Sequence, residues 1–445
     1  MELRKNIRKT FSGKRDDILF VTGIIFCIFV FMVSLLRSGM TGITYDEAYT
    51  YVAITNQNLT DWKVLQHLFS KEGCIANNHW LNSLLIYAVD RLAKASYSEF
   101  VIRVPSLAAF AIYLFYICRY FRKKFFEFPI LLLLAGNYYL DEYYGLARGY
   151  GMANTFVFLL CLSLIRWKIS DWNDMKYLNL AMVLAIFAVL SNTIVLLLYP
   201  AVGTVCLYRL ISKKRFGIFL KKCGAVFLFF TFISAMMGVY HLRISSEGKP
   251  LFTGGKKGFF DCFVKGYLNM FAAKELFINV GAVLIICIIT VAFLIRWKGK
   301  VTSDAGAMFI IFILTNLIMQ AAFQKGYITG RVLLPFYAFI ILTISDIIRG
   351  AADRFSKVLC LQFIGKAAVI VICAACVFLF IKKINLHATK DWDYDYKYKT
   401  MEIGQRMTGK PFDSPGGPEH VFYQEKYHYL IKDYLLLLEE ENNSQ

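Results

Sequence analysis

Residues 18–36 read Ile-Leu-Phe-Val-Thr-Gly-Ile-Ile-Phe-Cys-Ile-Phe-Val-Phe-Met-Val-Ser-Leu-Leu, an apolar run without a single charge. A helix needs about 20 such residues to cross the hydrocarbon of a bilayer, so this run is predicted to be a membrane span. It is too long for the apolar region of a cleavable signal peptide and lacks a small-residue cleavage site, so it reads as a retained first span. Apolar runs of similar length recur as far as residue 381. Of the 445 residues, 58% are hydrophobic and only 18% are charged. That balance excludes a disordered chain, and the repeated spans exclude a soluble enzyme. The expected fold class is an all-α polytopic membrane protein.

Working outward, the later spans fall near residues 101–118, 127–143, 150–166, 177–192, 194–211, 223–240, 276–295, 305–323, 329–348 and 364–381. With the first, this makes about eleven transmembrane helices. Trp80–Leu92 is apolar but short, and reads as an interfacial or partly inserted helix within a long first loop, 37–100. Charge sets the parity. The N-terminus carries Arg4, Lys5, Arg8, Lys9, Lys14 and Arg15, which places it in the cytoplasm. Basic clusters then fall on cytoplasmic loops at Arg119/Arg122/Lys123/Lys124, Arg166/Lys168, Arg209/Lys213/Lys214/Arg215/Lys221/Lys222, Arg296/Lys298/Lys300 and Arg349/Arg354/Lys357. A full crossing at Trp80–Leu92 would flip all of these outward, against the positive-inside bias. The same bias accounts for the net charge of +19 without a nucleic-acid partner. The expected organisation is a transmembrane domain at 1–381 and a small polar extracytoplasmic tail at 382–445, in a plasma or inner membrane. The 11 cysteines lie mostly inside spans. Cys74 and Cys262 both fall in outer loops, where a disulfide is permitted.

On this topology the chemistry-bearing residues face one side, outside. Asp46 and Glu47 stand just beyond the first span. Thr44 and Glu47 have the Thr-x-x-Glu spacing of a capping box, and carboxylates suit a helix's first turn. A cap by Glu47 is compatible with Asp46 facing a cavity and accepting a proton from a hydroxyl. His79 closes the same loop beside Trp80; it is either an ordinary interfacial residue or a donor or cation aimed at a phosphate. Asp141, Glu142 and Arg148 occupy an outer turn that is either solvated or turned into a wet cavity. Lys325 and Arg331 flank the start of a late span; Arg331 either snorkels to headgroups or grips an anion. The loop 241–275, with Arg243, Lys249, Lys256, Lys257 and Lys265, is a basic solvated loop or a lid. Thr253-Gly254-Gly255 within it lacks the Gly-Lys-Ser/Thr of a P-loop.

Five segments carry a family likeness: Asp46-Glu47, Asn78-His79-Trp80-Leu81, Arg103-Val104-Pro105-Ser106, Ala147-Arg148-Gly149-Tyr150, and Gly330-Arg331-Val332-Leu333-Leu334-Pro335. In their order, and in sharing one side of the membrane, they resemble the GT-C superfamily of integral-membrane glycosyltransferases. The likeness is to the glycosyltransferase 39-like group, bacterial relatives of protein O-mannosyltransferases and aminoarabinose transferases, over roughly residues 15–350. The resemblance implies an inverting transferase that takes a sugar from a polyprenyl-phosphate donor and passes it to a glycan, lipid or protein hydroxyl. It implies Asp46 as the catalytic carboxylate, and His79, Arg148 and Arg331 as contacts to the donor phosphate; by position alone, Glu47 is counted with Asp46 as catalytic and Lys325 with Arg331 as a phosphate contact. Neither a metal nor another cofactor is implied. The sequence departs from the family where Trp80 follows His79 in place of Pro. It also lacks an acid after Arg148, a position that Asn154, Asp141 or Glu142 is left to fill. Two other readings share the outer-face logic: a lipid-linked oligosaccharide flippase or transporter, and a polymerase or ligase using a pyrophosphate-linked glycan. The first calls for internal repeats and charges at mid-membrane, and neither stands out in the sequence.

Overall fold

A computed structural model describes residues 2–44, 46–48, 50–51, 79–93, 98–121, 128–246, 258–270, 304–323, 327–355 and 359–386. Among these, all the extended elements are helices: α1 (Glu2–Met40), α2 (Trp80–Ala93), α3 (Glu99–Phe121), α4 (Phe128–Ala135), α5 (Tyr138–Tyr144), α6 (Gly149–Ile169), α7 (Met175–Ser191), α8 (Tyr199–Ser212), α9 (Phe216–Ser246), α10 (Asp304–Phe323), α11 (Tyr337–Phe355) and α12 (Leu359–Lys383). Six stretches among the described residues are long and apolar enough to cross a membrane: Ile18–Met40, Glu99–Phe121, Gly149–Ile169, Thr193–Ser212, Phe216–Arg243 and Asp304–Ala321. Over the described residues the extended elements are helical, as in a membrane-embedded protein. The expected span at 276–295, the expected tail beyond residue 386, Cys74 and Lys325 lie outside the described residues.

Three of the expected spans are interrupted. The apolar run 127–143 breaks at Gly136 and Asn137 into α4 and α5. A β-carbon at Gly136 would press on Phe26 and on the Leu132 carbonyl at 2.8 and 2.9 Å, so the chain turns there with glycine. Asn137 then caps α5 by accepting the Leu140 N–H at 3.0 Å. A tight 3-10 turn, Thr193–Leu198, precedes α8 and is capped by the Asn192 side chain on the Ile194 N–H. A second, Gly330–Phe336, precedes α11 and begins on Gly330 at φ 55°, the left-handed region in which L side chains are strained. At the first two breaks an asparagine side chain offers the backbone a local partner, and at the third Gly330 takes the left-handed turn. Each break delivers polar residues into the interior.

α6 and α7 form a helical hairpin. The turn between them holds Asp171 and Trp172 at positive φ, and Asp174 caps α7. Trp167, fully buried, meets Trp172 edge-on at 4.9 Å. At this same end Arg209 binds Asp304 and lies over the Trp172 ring. The main core joins α1, α3, α4, α5, α6, α10 and α11 around an aromatic stack in which Phe110 and Tyr144 lie 4.2 Å apart at 15°. α2 has 14 residues, about 21 Å at 1.5 Å per residue, too short to cross hydrocarbon about 30 Å thick. Trp80 at its start packs edge-on against Tyr240 of α9. Beyond α12 the chain returns to the end of α1: the Asn385 and Leu386 carbonyls accept from Arg37 and Thr41.

Candidate functional site

The helical segment that begins at Asp46 starts as its spacing predicts. The Thr44 hydroxyl accepts the Glu47 N–H at 3.3 Å, and Glu47 returns the bond to the Thr44 N–H at 3.0 Å. Glu47 does more than cap. It is fully buried, and Arg103 of α3 grips it bidentately, Nε to Oε1 at 2.8 Å and Nη2 to Oε2 at 2.7 Å. The Ala147 N–H adds a bond to Oε1 at 2.6 Å. Both oxygens therefore accept two bonds each, which uses a carboxylate's capacity. Arg103 spends its remaining donors on the Ser38, Thr41 and Gly42 carbonyls at 2.7–2.9 Å, where α1 leaves its last carbonyls without partners. Burial alone would raise the Glu47 pKa. The Arg103 charge and hydrogen bonds, with the Ala147 and Thr44 N–H groups, outweigh it and hold the carboxyl below its usual range. The capping role expected of Glu47 is observed, and its filled oxygens also tie α1, α3 and the 145–148 turn together.

Asp46, one residue earlier, has a different setting. Its Oδ2 lies 2.9 Å from Arg148 Nη2 and 3.1 Å from Arg331 Nη1. Arg148 is fully buried at the head of α6; its own N–H goes to the Leu146 carbonyl, and Asn82 of α2 donates to the Ala147 carbonyl. The clamp on the Ala147 N–H thus sets where Arg148 points. Although Nη2 touches the carboxylate, none of the three Arg148 guanidinium nitrogens makes an aligned hydrogen bond. Arg331 comes in on the 3-10 turn after Gly330, with its side chain 22% exposed.

His79 stands beside these cations. Gly149 makes room for it: a β-carbon there would collide with the Ser191 carbonyl and lie 2.7 Å from the His79 Cβ. The imidazole meets Tyr150 edge-on at 5.0 Å, and the Arg148 guanidinium lies over the same Tyr ring. His79 is buried and its Nε2 has no hydrogen-bond partner. Burial, then the charges of Arg148 and Arg331, push its pKa well down. Of the two roles expected for a functional His79, donor or cation, this environment favours the neutral donor, because burial and two guanidinium groups oppose a positive charge on the ring.

The other sequence-derived acids lie elsewhere. Asp141 is buried on α5 and paired with Arg37 at 2.6 Å, which places the turn among the inward-facing alternatives and not the solvated ones. Glu142 is also buried on α5. Asn154 bonds the Tyr144 hydroxyl and the Ala338 N–H, so it knits α5, α6 and α11 and has no tie to Asp46. Cys262 is buried in the short helical turn Phe260–Lys265. Sequence reasoning did not weigh Arg103 or Arg37 as site-builders. Their signal is an arginine next to an apolar span, a place where arginine needs a buried acid.

Comparison of the chain with family models, with curated proteins and with solved structures finds no match. The functional reading therefore stands on the cluster itself. It comprises one carboxylate held by two arginines, and a neutral histidine with an unused nitrogen.

Proposed function

We propose that this protein is a membrane glycosyltransferase that moves a sugar from a polyprenyl-phosphate donor to an acceptor hydroxyl, with inversion, on the extracytoplasmic face. The observation that supports it is Asp46 set against Arg148 and Arg331 with His79 alongside. The eleven-span topology, with the N-terminus in the cytoplasm, belongs to the same reading. Residues that the charge parity assigns to the outer side contact one another here, and this is the contact such an enzyme requires.

In this reading the donor's lipid tail stays in the bilayer and its phosphate comes to the two guanidinium groups. Asp46 takes the proton from the acceptor hydroxyl as that oxygen attacks the anomeric carbon. The carbon–oxygen bond to phosphate breaks on the opposite side, which inverts the centre. The leaving phosphate gains a negative charge, and Arg148 and Arg331 stabilise it as it develops. His79 Nε2 supplies a further polar contact. Base catalysis of this kind contributes roughly 10²–10⁴-fold.

Purified protein incubated with a panel of polyprenyl-phosphate sugars should yield a glycosylated product, identified by mass spectrometry, and a polyprenyl monophosphate. Asp46→Asn should lower transfer by about 10²-fold or more while the protein still accumulates in the membrane. Undiminished transfer by that variant removes the proposed base. Release of a lipid pyrophosphate would favour the polymerase or ligase reading instead.

A further inference from the structure

The same contacts raise a difficulty for the base. A carboxylate that shares one oxygen between two guanidinium groups is poorly placed to take a proton, because both cations favour its ionised, occupied state. The cations, however, are incompletely used. Arg148 is fully buried with no aligned hydrogen bond from Nε, Nη1 or Nη2. His79 Nε2, also buried, has no partner. Two arginines converge on one oxygen of Asp46. Glu47 is bound separately by Arg103. Buried donors without aligned acceptors are the property of a site built for an anion that can reach them.

We infer that Asp46 holds the place of the ligand anion: the phosphodiester of the lipid-linked donor, entering beside Arg148 and His79, displaces Asp46 from Arg148, and only then is Asp46 released to act as a base. The inference rests on the proposed transferase reading and adds an order to it. Phosphate loads first, and the carboxylate becomes active because the ligand has taken its partner. Two structural features suit the exchange. Arg148 is fixed by its backbone and by burial, so it serves as the constant pole. Arg331 is part exposed on a glycine-led turn and contacts the same Asp46 oxygen. The arrangement also keeps a charged base from meeting stray hydroxyls or water while no donor is present.

The test is binding. If Asp46 and phosphate compete for Arg148, then removing the carboxylate must tighten phosphate binding even as it abolishes transfer. Full-length protein in detergent is titrated with inorganic phosphate and, separately, with a short-chain prenyl phosphate. Asp46→Asn and Asp46→Ser are both used, so that a folding defect in one does not decide the result. Each is expected to bind at least about tenfold more tightly than wild type, a change of about 1.4 kcal/mol, and the gain should vanish when Arg148→Gln is added. Tightening with either probe supports the inference, and the probe that binds identifies a free or a lipid-linked phosphate as the source. Equal or weaker binding by both Asp46 variants, with Arg148→Gln still weakening the wild type, overturns the competition and leaves the transferase reading standing. Absence of binding to both probes in wild type and variants alike overturns both.

Discussion

Arg103→Lys should destabilise this protein far more than a conservative exchange ordinarily does. Arg103 places five hydrogen bonds, two on Glu47 and three on the Ser38, Thr41 and Gly42 carbonyls. A lysine keeps the charge but has three donors in place of five, and no planar fork. At least two buried acceptors then lose their partner, at roughly 1–3 kcal/mol each, for a total of roughly 2–6 kcal/mol. That is a large share of a total stability that is commonly about 5–15 kcal/mol. The loss also frees Glu47, whose bond to the Ala147 N–H sets the approach of Arg148, so transfer should fall together with stability. The assay is thermal or denaturant unfolding of detergent-purified protein, run as a double-mutant cycle with Glu47→Gln. Coupling between the two positions of about 1 kcal/mol or more is expected. If Arg103→Lys unfolds within about 0.5 kcal/mol of wild type, the saturated clamp is not what holds this corner of the fold.

Acid should destabilise the protein through His79. Its folded-state pKa is depressed, so below its ordinary value of about 6.5 the unfolded chain binds a proton that the folded chain refuses; stability falls as pH drops through that window, by up to about 1.4 kcal/mol per pH unit. Thermal midpoints measured from about pH 7.5 to about pH 5.5 should decline in wild type and flatten in His79→Gln. Glu47 acts lower on the scale: its contribution is present above its ordinary pKa and is lost as pH falls through the lowered folded value, so Glu47→Gln should reduce the acid sensitivity that remains. Gly149→Ala should impair phosphate binding and transfer, because its β-carbon cannot coexist with the Ser191 carbonyl and the His79 ring; normal binding by this variant would mean that the backbone yields there without cost. Gly330→Ala forces an L side chain to φ 55°, at about 1–2 kcal/mol, and is expected to weaken the Arg331 contact more than the Arg148 one in phosphate titrations.

Local sequence decided a good deal of this. Ile18–Leu36 determines a membrane helix because no other environment accepts so long an apolar run, and Thr44-x-x-Glu47 determines a helix start because the cap is closed within four residues. Asp46, Arg148 and Arg331, which meet in the structure, were legible as charge placed where charge is costly. What the sequence left open was partnership. Two adjacent carboxylates look alike in the chain, yet Glu47 is saturated by Arg103 and Asp46 is held by Arg148 and Arg331. Asp141 likewise looked like a member of the site and is bound to Arg37. The neutrality of His79 follows from two arginines, one 69 and one 252 residues further along the chain. Composition and periodicity act over a few residues, and so they determine which segments are helical and apolar. Which acid meets which arginine is decided by packing between helices, where burial makes a wrong pairing too costly and leaves one arrangement.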